Sequence, residues 1–154
     1  MMAEAERDVL WMLIRHELVI KHLYEVFAAM FAGQRDLWAG LAADEQRHAA
    51  SLVALRSSLI AAGRSPYVSQ LRAQAIKTSI GYVESQIARA HAGGTSALEA
   101  LAIARDLENA LLERQFAKLK DSAPTEMKPV LMSLAEETAQ HLKTVKDVMD
   151  SEKR

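Results

Sequence analysis

The chain of 154 residues contains no cysteine. That absence removes disulfides, iron–sulfur clusters and every metal site built on thiolates. Proline and glycine are scarce, three and six residues, so few points can interrupt regular structure. Aromatic residues make up 5% and β-branched runs are sparse, which disfavours sheet. No apolar run reaches the length of a membrane span. The acidic start Met1-Met2-Ala3-Glu4 is not a secretory signal. A formal net charge of -1 gives no basic face for nucleic acid. Together these absences lead us to expect a cytoplasmic, all-α protein of one domain over residues 1–154, with no nucleic-acid or membrane partner.

What is present is helix-forming: half the residues are hydrophobic and a quarter are charged, with Ala, Leu, Glu, Lys, Gln and Arg plentiful. The few breakers cut the chain into long periodic segments. The first is expected from about Ala3 to Ala32, stopped by Gly33. The second runs from about Asp36 to Ala62, stopped by Gly63. Ser65-Pro66 reads as an N-cap with proline in the first turn, opening a segment that ends near Ala92 before Gly93-Gly94. Ser96 and Glu99 form a capping-box pattern for a helix that ends near Asp121-Ser122. Pro124 opens a last helix that reaches about Asp150. Short connections pair the first helix with the second and the fourth with the fifth, antiparallel. The segment from Pro66 to Ala92 is a crossover, helical in whole or part. The expected fold is a four-helix bundle of two antiparallel pairs joined by that crossover.

Core lines follow from alternating steps of three and four residues. They run Leu10, Leu13, Glu17, Ile20, Tyr24, Phe27, Phe31 in the first helix and Trp38, Leu41, Glu45, His48, Leu52, Leu55, Leu59 in the second. In the fourth the line is Leu98, Leu101, Arg105, Glu108, Leu112, Gln115, Leu119, widened by Ala104 and Leu111. In the last it is Met127, Leu131, Leu134, Thr138, His141, Val145, Val148. Each line is apolar except near its middle. Counted back from the short turns, the polar groups of paired helices fall within about one turn, 5.4 Å, of each other. Buried carboxylates without partners cost several kcal/mol. Arg105, at the edge of its stripe, can serve one of them at most. A cation is the economical answer, and oxygen and imidazole donors suit iron, manganese or zinc. Glu45 and His48, three apart on one helical face, can reach a single ion from one side. His16, His22 and His91 lie off the core lines, Trp11 and Trp38 read as core or interface residues, and Tyr24 reads as a core aromatic near the site.

His16-Glu17-Leu18-Val19-Ile20-Lys21-His22-Leu23-Tyr24, Leu41-Ala42-Ala43-Asp44-Glu45-Gln46-Arg47-His48-Ala49 and Leu107-Glu108-Asn109-Ala110-Leu111 resemble the metal-binding helices of the rubrerythrin-like, ferritin-like di-iron carboxylate family. The resemblance covers nearly the whole chain outside the crossover. It implies that Glu17, Glu45, His48 and Glu108 are ligands, that Glu45 bridges two metals, and that Glu17 and Glu108 each serve one; His141, on the core line of the last helix, is a further candidate ligand. It implies a di-iron cofactor, dioxygen or peroxide as substrate, ferroxidase or peroxidase chemistry, an external electron donor and a homodimer. The last helix departs from the family pattern. Leu134-Ala135-Glu136-Glu137-Thr138-Ala139-Gln140-His141 carries Thr138 where a second bridging glutamate is expected. Glu137 is a weaker candidate, turned about 100° away unless a π-bulge intervenes. The alternative expectation is a structural or partner-binding bundle whose site is degenerate, holding one metal or none.

Overall fold

The computed structural model describes residues 8–64, 70–116 and 125–153. It is all-helical, with no strand among the described residues. The expected start at Ala3, the Ser65-Pro66 cap, Leu119 of the core line, the end near Asp121-Ser122 and the opening at Pro124 lie outside them, as does the side chain of Gln115. The chain divides into two compact units, Met1–Gly94 and Thr95–Arg154. No described helix is long and apolar enough to cross a membrane.

The first unit is built on α1, Val9–Met30. Its N-cap is Asp8, whose Oδ1 accepts from the Trp11 backbone N–H at 3.0 Å, satisfying one of the orphan donors of the first turn. The other oxygen of Asp8 accepts from Arg56 Nε at 2.8 Å. The Arg56 guanidinium also lies 5.9 Å from the centroid of the Trp11 ring, and Trp11 is exposed rather than in the core. Residues Leu10, Leu13, Glu17, Ile20, Tyr24 and Phe27 of the expected line are buried, while Phe31 is half-buried.

A single 3-10 turn, Ala32–Gln34, leads into α2, Arg35–Ala61. Gly33 therefore sits within a turn, and its φ is not positive. The chain reverses by tightening rather than by a left-handed glycine. All seven residues of the expected α2 line are buried. The helices run antiparallel: Asp8 at the start of α1 meets Arg56 late in α2, and the Tyr24 ring lies tilted against Trp38 early in α2, centroids 5.5 Å apart. Trp38 also meets Phe27 edge-on at 4.9 Å and donates through Nε1 to Gln34 Oε1. Each fully buried large side chain contributes about 1.5–3 kcal/mol, so this aromatic cluster anchors one end of the pair.

Gly63, at φ +74°, closes α2. Its N–H donates to Ile60 O and that of Arg64 to Leu59 O, the paired bonds of a Schellman end. Gly93, at φ +80°, repeats the device at the end of α3, Gln70–His91. The crossover is thus helical from Gln70 onward. Its buried stripe, Ala73, Ile76, Ile80, Val83 and Ala90, has the spacing of a helix packed along one partner, and that partner is α1. His16 meets Ser79, and Met30 shares a groove with His91, so α1 and α3 run parallel.

His16, which lies off the traced core line, is buried between these helices with Nε2 2.9 Å from Ser79 Oγ. Burial lowers its pKa to about 4, so it is neutral in the folded chain near neutral pH. His22 and His91 are exposed.

In the second unit, α4 spans Ala97–Ala110. The expected capping box is present: Ser96 Oγ accepts from Glu99 N–H, and Glu99 Oε1 accepts from Ser96 N–H, both at 3.1 Å. The helix continues as π-helix through Leu111–Phe116. After a 3-10 turn at Thr125–Met127, α5 spans Lys128–Glu152, with Pro129 in its first turn. Helices α4 and α5 pack together. The α5 line is buried as expected from Met127 through Val145, but Met149 is buried where Val148 is half-buried. The α4 line needs correction. Leu98 is 42% exposed, and Arg105 and Leu112 are half-buried, whereas Ala100, Ile103, Ala104, Leu107 and Leu111 are buried with Leu101 and Glu108. Apolar residues cover so much of α4 that two neighbouring stripes satisfy the same periodicity, and only packing chooses between them. Arg105 pairs with Asp106 at 3.1 Å.

Two stability measurements check this account. Gly93→Ala forces a β-carbon into the left-handed region and is expected to lower unfolding free energy by about 1 kcal/mol. Gly81→Ala, mid-helix with open space around its Cα, is expected to raise it by about 0.5–1 kcal/mol. Denaturant titration of both variants decides. The second concerns His16. Its folded pKa lies below the unfolded value of 6.5, so its stabilisation is complete above pH 6.5 and is lost as pH falls toward 4. Between those limits the wild type is expected to lose on the order of 3 kcal/mol more than His16→Leu. Parallel pH slopes for the two proteins would contradict it.

Candidate metal centre

Each unit carries its polar residues at mid-helix, surrounded by aliphatic side chains. In the first unit α1 supplies Glu17, and α2 supplies Glu45 and His48 one turn apart. Glu17 and Glu45 are fully buried and His48 is 1% exposed. His48 Nδ1 stands 3.6 Å from Glu17 Oε2 and 3.5 Å from Glu45 Oε2. One ligand atom from each of the three lies within 4.8 Å of the others.

These spacings are too long for good hydrogen bonds, which close to about 2.7–3.2 Å. They match two donors that share one ion: ligands about 2.1 Å from a metal at a tetrahedral angle are about 3.4 Å apart. Neither oxygen of Glu17 has a hydrogen-bond donor among the described residues. A buried carboxylate left in that state calls for a cation.

Electrostatics tell the same story for the metal-free chain. Burial, and then the neighbouring charge of Glu45, push the Glu17 carboxyl well above the usual carboxylate range. For His48, burial acts to lower the pKa, but Glu17 and Glu45 together outweigh it and raise it to about 10. Without a metal the cluster therefore holds protons. A dication bound there would replace them and neutralise two carboxylates at once, which is how ligand deprotonation and metal binding are linked.

The second unit has a smaller cluster. His141 Nδ1 of α5 lies 3.6 Å from Glu108 Oε1 of α4. Glu108 is fully buried, His141 is 5% exposed and Thr138, one turn before it, is 1% exposed. The spacing equals that of the Glu17–His48 pair in the first unit. Among the described residues of this unit no second carboxylate joins Glu108 and His141. Glu137 is half-buried and belongs to no group of three or more ligand residues among those described. The π-helical segment continues α4, beginning three residues after Glu108, and is not in the last helix where it would have turned Glu137 inward. Nothing in the residue pattern of Leu111–Phe116 signals it.

Tyr24 is buried in the aromatic cluster, two turns and about 10 Å of axial rise from Glu17. The residue that sequence reasoning missed is His16, beside Glu17 in the chain but directed to Ser79 on α3. Its signal was the apolar stripe of α3, which shows that α1 buries a second face.

Comparisons with protein-family models, with curated proteins and with solved structures found no match.

The raised pKa of Glu17 carries a sign. Stability tied to its protonated form is complete below pH 4.5 and is lost as pH rises through the range between that value and its folded pKa. Glu17→Gln removes that loss. The metal-free variant is expected to be more stable than metal-free wild type by about 1–3 kcal/mol at pH 8, with the gap narrowing toward pH 5. The same variant is expected to lose the stabilisation that added metal gives the wild type. Denaturation at the two pH values, with and without metal, measures both effects.

Proposed function

We propose that the protein is a ferritin-like four-helix-bundle metalloprotein of oxidoreductase type that binds two metal ions, iron foremost. One ion is held by Glu17, Glu45 and His48, the other by Glu108 and His141. The observation that carries this reading is the first cluster: three fully buried ligand groups, mutually within 4.8 Å, in a helix pair whose core is otherwise apolar. Supporting it, the second unit repeats a buried carboxylate–imidazole pair at the same 3.6 Å, in helices of similar polar patterning.

The protein side of the chemistry follows from its residues. Glu17 and Glu45 neutralise a dication and hold it in place. His48 contributes a neutral nitrogen on binding and so gives up the proton that the metal-free cluster retains. The aliphatic side chains of Leu13, Ile20, Leu41 and Leu52, all buried, keep water from the ligands and strengthen each charge interaction. Iron held there supplies one-electron redox chemistry toward dioxygen or peroxide, in iron oxidation or peroxide reduction. Since the chain has no cysteine, it carries no thiolate-ligated iron centre to feed electrons, and an external donor must do so.

A second reading is favoured by one observation: the second unit offers one carboxylate where the first offers two. In that reading the chain is a structural or partner-binding bundle holding a single metal or none. Anaerobic titration with Fe(II) followed by oxygen or peroxide separates the two. The redox reading expects about two metals per chain, a new absorbance on oxidation, and a melting temperature that falls on chelation, as linkage requires of a ligand bound only by the folded state. Glu45→Ala is expected to abolish the high-affinity ion. Metal-independent melting, or undiminished binding in that variant, would overturn it.

A further inference from the structure

Two imidazoles that the core lines leave without a role are brought together by the fold. His22 stands on α1, and His91 is the last residue of α3. Both line one groove of about 350 Å³ between these helices, together with Glu25, Val26, Ala29 and Met30. His22, Glu25, Val26 and Ala29 follow one another at steps of three and four and so share one face of α1. Both histidines are exposed, and neither has a hydrogen-bond or ion-pair partner among the described residues. The contact of His16 with Ser79 fixes the register of the two parallel helices. By that register His91 comes level with Ala28, about 9 Å of axial rise beyond His22 and about 4.5 Å beyond Glu25. Helix axes in contact are about 8–10 Å apart, so an imidazole from each side can reach an ion held between them. These donors are not drawn together as tightly as the buried Glu17, Glu45 and His48. Exposed side chains change rotamer freely, and an ion gathers them.

The charge of the groove favours a cation. Because α1 and α3 run parallel, their C-terminal residues, Met30 and His91, lie at the same end, where each helix carries its partial negative charge. The last turn of α1 has no basic residue. Arg89 stands in the last turn of α3, but its stem lies against Gly94 and it does not line the groove. Glu25 adds a full negative charge. Its ion pair with Lys21, 3.3 Å apart and partly solvated, is of the weak surface kind and yields to a metal. Two imidazoles and one carboxylate, open to water, select late first-row divalent ions, with copper(II) at the head of the order.

We propose that His22, His91 and Glu25 form a surface site for such a divalent ion, copper(II) foremost, separate from the buried carboxylate centre. The bound ion ties the crossover helix α3 to α1. This proposal does not rest on the reading of the buried cluster.

The test titrates the full chain with substoichiometric Cu(II) and follows the ring protons of its five histidines by NMR. The His22 and His91 signals are expected to broaden together, at the same copper ratio. His48 and His141 report on the buried centre separately, so the two readings can fail independently. Because both histidines are exposed, His22→Ala and His91→Ala are expected to fold as wild type. In each, broadening of the remaining ring is expected to need about 100-fold more copper, the scale on which a second tethered donor raises affinity. Glu25→Gln is expected to need more copper than wild type. Added Cu(II) is expected to raise the melting temperature of wild type more than that of either alanine variant, as a ligand of the folded state must. Broadening of one ring without the other, an alanine variant whose remaining ring responds as in wild type, or unchanged affinity in Glu25→Gln would each overturn the site.

Discussion

The burial of Glu17, Glu45 and His48 against one another is the constraint around which the first unit is arranged. Two carboxylates and an imidazole, all shut away from water, cannot each keep their solution charge. The metal-free chain meets this by retaining protons, at a cost to stability that the surrounding Leu, Ile, Tyr, Phe and Trp side chains must offset. A dication meets it better, because it lets each ligand take its charged or lone-pair form. The metal-free cluster is therefore a source of instability, and a bound dication would turn it into one of stability. Such conflict between folding and a local cluster is common where the cluster is functional.

The helices hold this cluster by its ends and from behind. At one end Asp8 caps α1 and binds Arg56 of α2. At the other, Tyr24, Phe27 and Trp38 interlock. Behind, α3 lies along α1 and is tied to it by His16 and Ser79. Ligands carried on helices pinned in this way have little freedom to drift, which is what a metal site needs of its scaffold. The second unit uses the same materials more sparingly. It has one carboxylate, one imidazole and a threonine hydroxyl, and the helix bearing the carboxylate leaves α-helical geometry just beyond it.

Much of the helical plan was legible because it depends on local chemistry. Gly63 and Gly93 end helices where their conformational freedom is used, and the Ser96–Glu99 box forms as the residue pattern implies. The lines through α1, α2 and α5 were legible because one apolar stripe on each is unambiguous. The α4 line was less so: its apolar residues span more than one stripe, and Leu98 faces solvent in consequence. Gly33 marks the end of α1 without using its conformational freedom, since the 3-10 turn of Ala32–Gln34 needs no positive φ.

The sequence by itself determined that the chain is helical, where most helices end, and that Glu17, Glu45 with His48, Glu108, and Thr138 with His141 interrupt otherwise apolar lines. These are properties of composition, capping and period, which act over a few residues. Only the tertiary structure decided that Glu17, Glu45 and His48 come within 4.8 Å of one another, that His16 turns to Ser79, and that the Thr138 hydroxyl finds no partner among the described residues. Those outcomes depend on which faces of separate helices meet, and on how far burial removes water from the groups that meet there.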